Sequence, residues 1–143
     1  MKISNQPEIC LVSSCLVGLL TRYDGKMKIP NPNCMNRLKG TIWIPVCPEQ
    51  LGGLPTPRAP ADIIGGDGCD VLCGKARVLT RNGNNHDCTA EFIRGAEQVL
   101  YIARSHNISM VIFKAGSPSC AVNNTVGVTT ALLQQNGFEV LEF

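Results

Sequence analysis

Short apolar runs, each bounded by polar or turn-forming residues, recur along the chain. Their length and their content of β-branched residues predict buried strands, which need only about five or six residues each. The four clearest runs lie at 9–13, 41–46, 109–114 and 138–143. A further stretch at 76–80 also has an extended pattern and leads into a tight turn at Asn82-Gly83.

A different period, with apolar residues three or four positions apart, predicts the helices. The clearest stripe consists of Phe92, Ala96, Val99, Leu100 and Ala103. It predicts the longest helix, and shorter helices are predicted over 31–38 and 126–136. Strands that alternate with helices predict an α/β fold: a Rossmann-like, mostly parallel sheet with helices on both faces. We expect residues 1–143 to form a single domain.

Two segments rich in proline predict loops. Pro45-Val46-Cys47-Pro48-Glu49 places a proline on either side of a thiol, which predicts a rigid, irregular loop after the second strand. Residues 51–68 are rich in Pro and Gly and have no periodic apolar pattern, so we expect a long structured loop across the surface. Loops held in this way commonly border binding sites.

Charge and composition narrow the class of protein. The formal net charge is +2, and 17% of the 143 residues are charged, which gives no basic surface of the kind that nucleic-acid binders use. No apolar run approaches the roughly 18 residues of a membrane helix, and residues 1–7 lack the hydrophobic stretch of a secretory signal. We therefore expect a cytoplasmic protein, monomeric or weakly self-associating, whose partner is a small molecule and neither nucleic acid nor membrane.

Eight cysteines in such a chain point to metal-binding or catalytic thiols, because a reducing compartment disfavours disulfides. Cys15, Cys47 and Cys120 each follow the carboxyl end of a predicted strand, and that edge of an open parallel sheet is where ligands bind. Three protein ligands leave one coordination position open for water or substrate. The spacing alone leaves zinc, an iron–sulfur cluster and scattered buried thiols as alternatives.

Several longer motifs occur in a fixed order along the chain. They are Ser13-Ser14-Cys15-Leu16-Val17-Gly18, Arg22-Tyr23-Asp24-Gly25, Pro45-Val46-Cys47-Pro48-Glu49, Phe92-Ile93-Arg94-Gly95-Ala96-Glu97 and Ser117-Pro118-Ser119-Cys120. In these motifs the chain resembles the DUF523 family, which includes the thiouracil desulfidases. The resemblance implies a [4Fe-4S] cluster on Cys15, Cys47 and Cys120, with one open iron acting as a Lewis acid. It also implies removal of sulfur from 2-thiouracil-like substrates without net redox change.

The same resemblance implies roles for three further residues. Glu49 matches the family's catalytic acid/base and would activate water or carry its proton. Ser117 matches a serine beside the substrate and would hydrogen-bond the heterocycle. Asp24, with Arg22, would support the site or orient the substrate, although a turn-forming side chain bonded to its own backbone explains Asp24 equally well.

Two departures from the family pattern put the substrate in question. The segment 121–126 after Cys120 is short and lacks the Tyr-Asp-Gly-like element common in the family, and Ala115-Gly116 stands where a Glu-Arg type pair is frequent. The rival hypothesis is a non-catalytic iron–sulfur or zinc-binding protein that senses or stores metal or sulfide. Cys69 and Cys73 lie outside the cluster pattern, and we interpret them as structural or incidental thiols.

Overall fold

The structure, a computed structural model, describes residues 6–143, so most of the segment inspected for a secretory signal lies outside the described residues. The strands are β1 (Ile9–Ser13), β2 (Ile42–Val46), β3 (Ala61–Ile64), β4 (Arg77–Thr80), β5 (Met110–Phe113) and β6 (Val140–Glu142). The helices are α1 (Pro32–Leu38), α2 (Pro48–Leu51), α3 (Gly68–Leu72), α4 (Thr89–Ser105) and α5 (Val128–Gln135). A 3-10 turn at Ser14–Val17 follows β1 directly.

Four strands form one parallel sheet in the order β2-β1-β5-β6. β1 is central, and its register places Ser13 beside Val46, the last residue of β2. On the other side Val12 pairs with Ile112 of β5. These strands coincide with the four apolar runs of the sequence, so the prediction of an α/β fold with a mostly parallel sheet is confirmed.

Helices cover both faces of this sheet, as the sequence predicted. Because side chains alternate along a strand, Cys10 and Val12 of β1 pack with α1 on one face, in a cluster that includes Leu38. Leu11 points to the opposite face and packs in the cluster that holds Val99 of α4 and α5 residues. No helix within residues 6–143 is both long enough and apolar enough to cross a membrane.

The segment 51–68 differs from its prediction as an irregular surface loop. It contains β3, which pairs in antiparallel fashion with β4 so that Ile63 lies opposite Val78. Val78 is fully buried and packs with α3 and α4 in a second cluster beside the main sheet. The loop prediction failed because a strand of four residues is too short to show a period and is formed by pairing with a distant partner.

The Cys47 loop is also more regular than predicted. Cys47 is the N-cap residue of α2, and Pro48 is its first helical residue. Proline is favoured at that position because its fixed φ suits a helix and the hydrogen it lacks has no intrahelical partner there. The second proline therefore starts a helical turn, and the first lies inside β2 at the sheet edge, where a missing N–H is tolerated.

Two glycines let α2 rest directly on the backbone of α4. A Cβ added to Gly95 would lie 1.9 Å from the carbonyl oxygen of Pro48, and one added to Gly52 would lie 1.9 Å from that of Glu91. Arg94 completes the contact, because its Nη1 donates to the carbonyl of Gly52 at 3.0 Å. The segment that carries Cys47 and Glu49 is thus set by backbone contact with the longest helix.

We expect Gly95→Ala to lower the free energy of unfolding by about 1–3 kcal/mol, because the added methyl group forces α2 away from α4. The sign of this change tests the close contact, since Gly→Ala inside an unobstructed helix raises the free energy of unfolding by roughly 1 kcal/mol. Urea unfolding measures the change. Gln98→Ala, at an exposed position of the same helix, should shift stability by less than about 0.5 kcal/mol, and a stabilising Gly95→Ala would contradict the close contact.

Candidate active site

One cavity of about 240 Å³ lies at the carboxyl ends of β1, β2 and β5. Its wall includes Cys15, Cys47, Cys120, Glu49 and Ser117. The structure thus brings five of the six predicted site residues together. Within residues 6–143, no three His, Cys, Asp or Glu side chains converge tightly enough to hold a single metal ion. The three thiols surround the cavity and do not meet at one point.

The register of β1 and β2 places the first two thiols side by side. Both strands end at the paired residues Ser13 and Val46. Cys47 comes next after β2, and the 3-10 turn after β1 carries Cys15. The Cys47 thiol lies 3.8 Å from the carbonyl oxygen of Thr21, in the segment that follows this turn.

The third thiol is held by the start of α5. The amides of Val128 and Thr129 donate to the carbonyls of Pro118 and Ser119, each at 2.9 Å. Thr130 Oγ1 donates to the carbonyl of Cys120 at 2.7 Å. The first two bonds satisfy helix amides that otherwise lack partners. All three fix the backbone of the Cys120 loop against the start of α5, and the Cys120 side chain borders the cavity.

The short segment after Cys120 is held by a carboxylate. Glu142 accepts hydrogen bonds from the amides of Val122 and Asn123, at 2.6 and 3.0 Å, and from Asn123 Nδ2 at 2.8 Å. These donors, the Val122 amide foremost, lower the pKa of Glu142. The segment that departs from the family pattern is therefore fixed to the end of β6.

Glu49 is largely buried, and each of its two carboxylate oxygens has a donor. Arg58 Nε donates to Oε1 at 3.0 Å, and Ser119 Oγ donates to Oε2 at 3.1 Å. The side chains of Arg58 and Glu49 are only 7% and 15% exposed. Arg58 Nη2 also contacts Cys47 Sγ at 3.8 Å and the Thr21 carbonyl at 3.0 Å, so one guanidinium connects the carboxylate with a candidate ligand.

Ser117 lies next to this group. Its Oγ is 2.8 Å from Ser119 Oγ and accepts from the amides of Ser119 and Cys120 at 3.2 and 3.3 Å. The family resemblance assigned no role to Ser119, and the sequence left Arg58 as an ion-pair or loop-anchoring residue that could face the site. The Ser-Pro-Ser spacing before Cys120 was the available signal for Ser119, because a turn there returns the second serine to the first.

Asp24 is the one predicted site residue that is not part of the cavity wall. It forms an ion pair with Arg22 at 3.1 Å and accepts from the amide of Lys26 at 3.0 Å. The bond from Arg22, followed by that from the Lys26 amide, lowers the pKa of Asp24 to about 2. Arg22 does line the cavity. This geometry matches the supporting role and the turn-forming role together, and direct participation in catalysis stays a prediction.

Burial raises the pKa of all three cavity thiols. Desolvation is the main cause at Cys15, with the neighbouring Cys47 as the next, and it is also the main cause at Cys47. Desolvation raises the pKa of Cys120 to about 12. In the free protein these groups are neutral thiols near pH 7, so binding of a metal group must release protons.

The other five cysteines lie away from this cavity. Cys10, Cys34 and Cys88 are buried in apolar clusters. Cys69 and Cys73 are exposed on and just after α3. All eight cysteines are free thiols in the structure.

Comparison with known proteins shows the family of this chain. A family model described as 2-thiouracil desulfurase matches residues 10–142. The chain belongs to the 2-thiouracil desulfurase family. The resemblance to DUF523 proteins is thereby confirmed, and the motifs that carried it lie around the cavity and on the α4 surface that supports it.

Two known proteins are similar to this chain, one found by its sequence and one by its structure. The protein YbbK of Bacillus subtilis (strain 168), itself uncharacterized, is 41% identical, over 92% of this chain and 93% of its own length. A solved structure of the [4Fe-4S]-dependent thiouracil desulfidase TudS matches with a TM-score of 0.78 and 36% identity. That match covers 94% of this chain and 90% of TudS.

In the metal-free, reduced protein, the rate of alkylation should distinguish the exposed cysteines from the buried ones. With iodoacetamide near neutral pH, we expect Cys69 and Cys73 to react at least about tenfold faster than Cys120, because the thiolate is the reactive form and Cys120 is buried with a raised pKa. Peptide mass mapping at successive times measures each site. In urea all eight should react at similar rates, and equally fast native labelling of Cys120 would contradict the described loop.

Glu142→Gln should destabilise the protein near pH 7 by about 1 kcal/mol, less than for a buried charged hydrogen bond because solvent screens this group. Since folding lowers the pKa of Glu142, its contribution is present above the unfolded pKa of about 4.3 and is lost as the pH falls through the folded value. In urea unfolding experiments, the stabilities of the wild-type protein and Glu142→Gln should therefore converge as the pH is lowered from about 7 to about 3. Glu139→Gln, exposed in the same segment, serves as the control, and a pH-independent difference would contradict the argument.

Proposed function

We propose that this chain is a [4Fe-4S]-dependent desulfidase that removes sulfur from thiolated pyrimidines of the 2-thiouracil type, or from related small thio-compounds, without net redox change. The main support is one observation: three cysteine loops and a largely buried glutamate meet at a single cavity. Family membership and the likeness to TudS agree with it.

Cys15, Cys47 and Cys120 would hold the cluster. The donor set is suitable, because iron–sulfur clusters are held by cysteine thiolates and all three thiols are free to ligate. Thiols placed around a cavity, each on its own loop, fit a group whose ligands bind separate irons. When bound, the cluster supplies an iron without a cysteine ligand, which acts as a Lewis acid toward a thiocarbonyl sulfur.

The overall reaction exchanges sulfur for oxygen: a thiocarbonyl and water give a carbonyl and hydrogen sulfide, with no electrons gained or lost. Glu49 would accept a proton from the attacking water and later return it, the role of a general acid/base. Ser117 would hydrogen-bond the heterocycle from the loop of Cys120. Arg22, held by Asp24 at the cavity wall, would orient the substrate.

The wider predictions belong to the same proposal. We propose that residues 1–143 act as one domain, since the candidate site draws on β1, β2 and β5 together. A cytoplasmic location and a monomeric or weakly associating state stay predictions. The absence of nucleic acid and membrane partners also stays a prediction.

Anaerobic purification followed by iron, zinc and acid-labile sulfide analysis tests the cofactor, and sulfide release from 2-thiouracil tests the activity. We expect about four irons per chain, as a [4Fe-4S] cluster requires, and sulfide release that depends on them. Iron-free protein with stoichiometric zinc would refute the cluster. A cluster without sulfide release from any thiopyrimidine would instead support the non-catalytic iron–sulfur protein.

Single replacements test the assigned roles. Cys15→Ser, Cys47→Ser and Cys120→Ser should each lose iron, whereas Cys69→Ser and Cys73→Ser, which remove exposed thiols, should keep it. Glu49→Gln should keep the iron and lower the rate of sulfide release by about 10²- to 10⁴-fold, the range for loss of a general acid or base. Unchanged iron content after any of the first three replacements would remove that cysteine from the ligand set.

A further inference from the structure

We propose that Ser119 is a positioning residue that holds Glu49 and Ser117 in one hydrogen-bond chain at the wall of the cavity. The inference rests on the proposed function, in which Glu49 and Ser117 act on water and substrate. Nothing in the family resemblance assigned a role to Ser119. Its side chain is only 2% exposed, so its hydroxyl acts on neighbouring protein groups.

The number of hydrogens available determines which group donates and which accepts in each of these hydrogen bonds. The Glu49 carboxylate is paired with Arg58 and accepts hydrogen bonds, so Ser119 Oγ is the donor in its 3.1 Å bond to Glu49 Oε2. A serine hydroxyl has a single hydrogen. In the 2.8 Å contact between the two serines, Ser117 is therefore the donor and Ser119 the acceptor until a substrate takes the Ser117 hydrogen.

The same geometry fixes Glu49 from two sides. Arg58 holds Oε1 and Ser119 holds Oε2, so the carboxylate plane cannot rotate without losing one of them. These donors come from different parts of the fold, since Arg58 follows Glu49 by nine positions and Ser119 by seventy. Ser119 is thus the only one of the two that ties Glu49 to the loop of Cys120.

A competing partner for the Ser119 hydrogen is the adjacent thiol. Ser119 Oγ is also 3.5 Å from Cys120 Sγ. We assign the hydrogen to Glu49 because a charged carboxylate is a stronger acceptor than a thiol sulfur. The two assignments predict different consequences when the hydroxyl is removed, because only the first moves Glu49.

The test compares Ser119→Ala with Ser119→Thr, which restores a hydroxyl, in the anaerobically purified protein. Ser119→Ala should keep its iron and labile sulfide but lower kcat by about 10- to 100-fold with little change in KM, as expected when a reacting group is misplaced. Ser119→Thr should recover at least about tenfold of that loss. Ser109→Ala, a hydroxyl removed far from the cavity, is the control and should leave kcat unchanged.

A second measurement is independent of activity. The measurement compares crystal structures of the metal-free wild-type and Ser119→Ala proteins. In the variant, the Glu49 carboxylate should be rotated so that Oε2 leaves its wild-type position, while Arg58 still holds Oε1. An unmoved Glu49 together with unchanged kcat would overturn the proposal. A shift in the visible spectrum of the cluster with kcat unchanged would overturn it too, and would assign the hydroxyl to Cys120. If the wild-type protein releases no sulfide, the proposed function fails, but the crystallographic comparison still decides the role of Ser119.

Discussion

Parallel pairing at the centre of the sheet is the constraint on which the candidate site depends. β1 lies between β2 and β5, and its last residue, Ser13, pairs with the last residue of β2. Ser13 Oγ also accepts from the amide of Lys114, just after β5, at 2.9 Å. The three strands therefore end at one level. A slip of one residue would exchange the side chains that β1 presents to its two covered faces and displace Cys15 relative to Cys47.

Strand ends alone would leave three loops free to move, and close backbone contacts restrain two of them. A Cβ on Gly95 would collide with Pro48, and a Cβ on Gly127 would lie 2.4–2.6 Å from the backbone of Ser119 and Cys120. Gly95 lies within α4, and Gly127 directly precedes α5. α4 therefore supports the Cys47 loop, and α5 supports the Cys120 loop. The helices that cover the core thus also set the positions of the thiols, which connects packing directly to the candidate chemistry.

The sequence carried the information for this sheet edge but little for the partners of Glu49. The three strands that end at the cavity are short, largely apolar runs, and a thiol in the loop after such a run is expected near the carboxyl edge, so Cys15, Cys47 and Cys120 could be selected by position. β3 could not be identified, since pairing with β4 determines it. The contact between Glu49 and Ser119 spans seventy positions and depends on how two loops face each other, which no local pattern encodes.

Arg58 connects the stability of the fold with the chemistry of the site. Its guanidinium is shared between Glu49 and the Cys47 thiol, in a place where its side chain is only 7% exposed. Removing one partner of such a buried pair commonly costs about 3–5 kcal/mol, because the other charge is left unpaired. Glu49 is therefore costly to bury without Arg58. The positive charge beside Cys47 would also favour the thiolate that a metal group requires, so the residue that stabilises Glu49 in the fold would also support a ligand at Cys47.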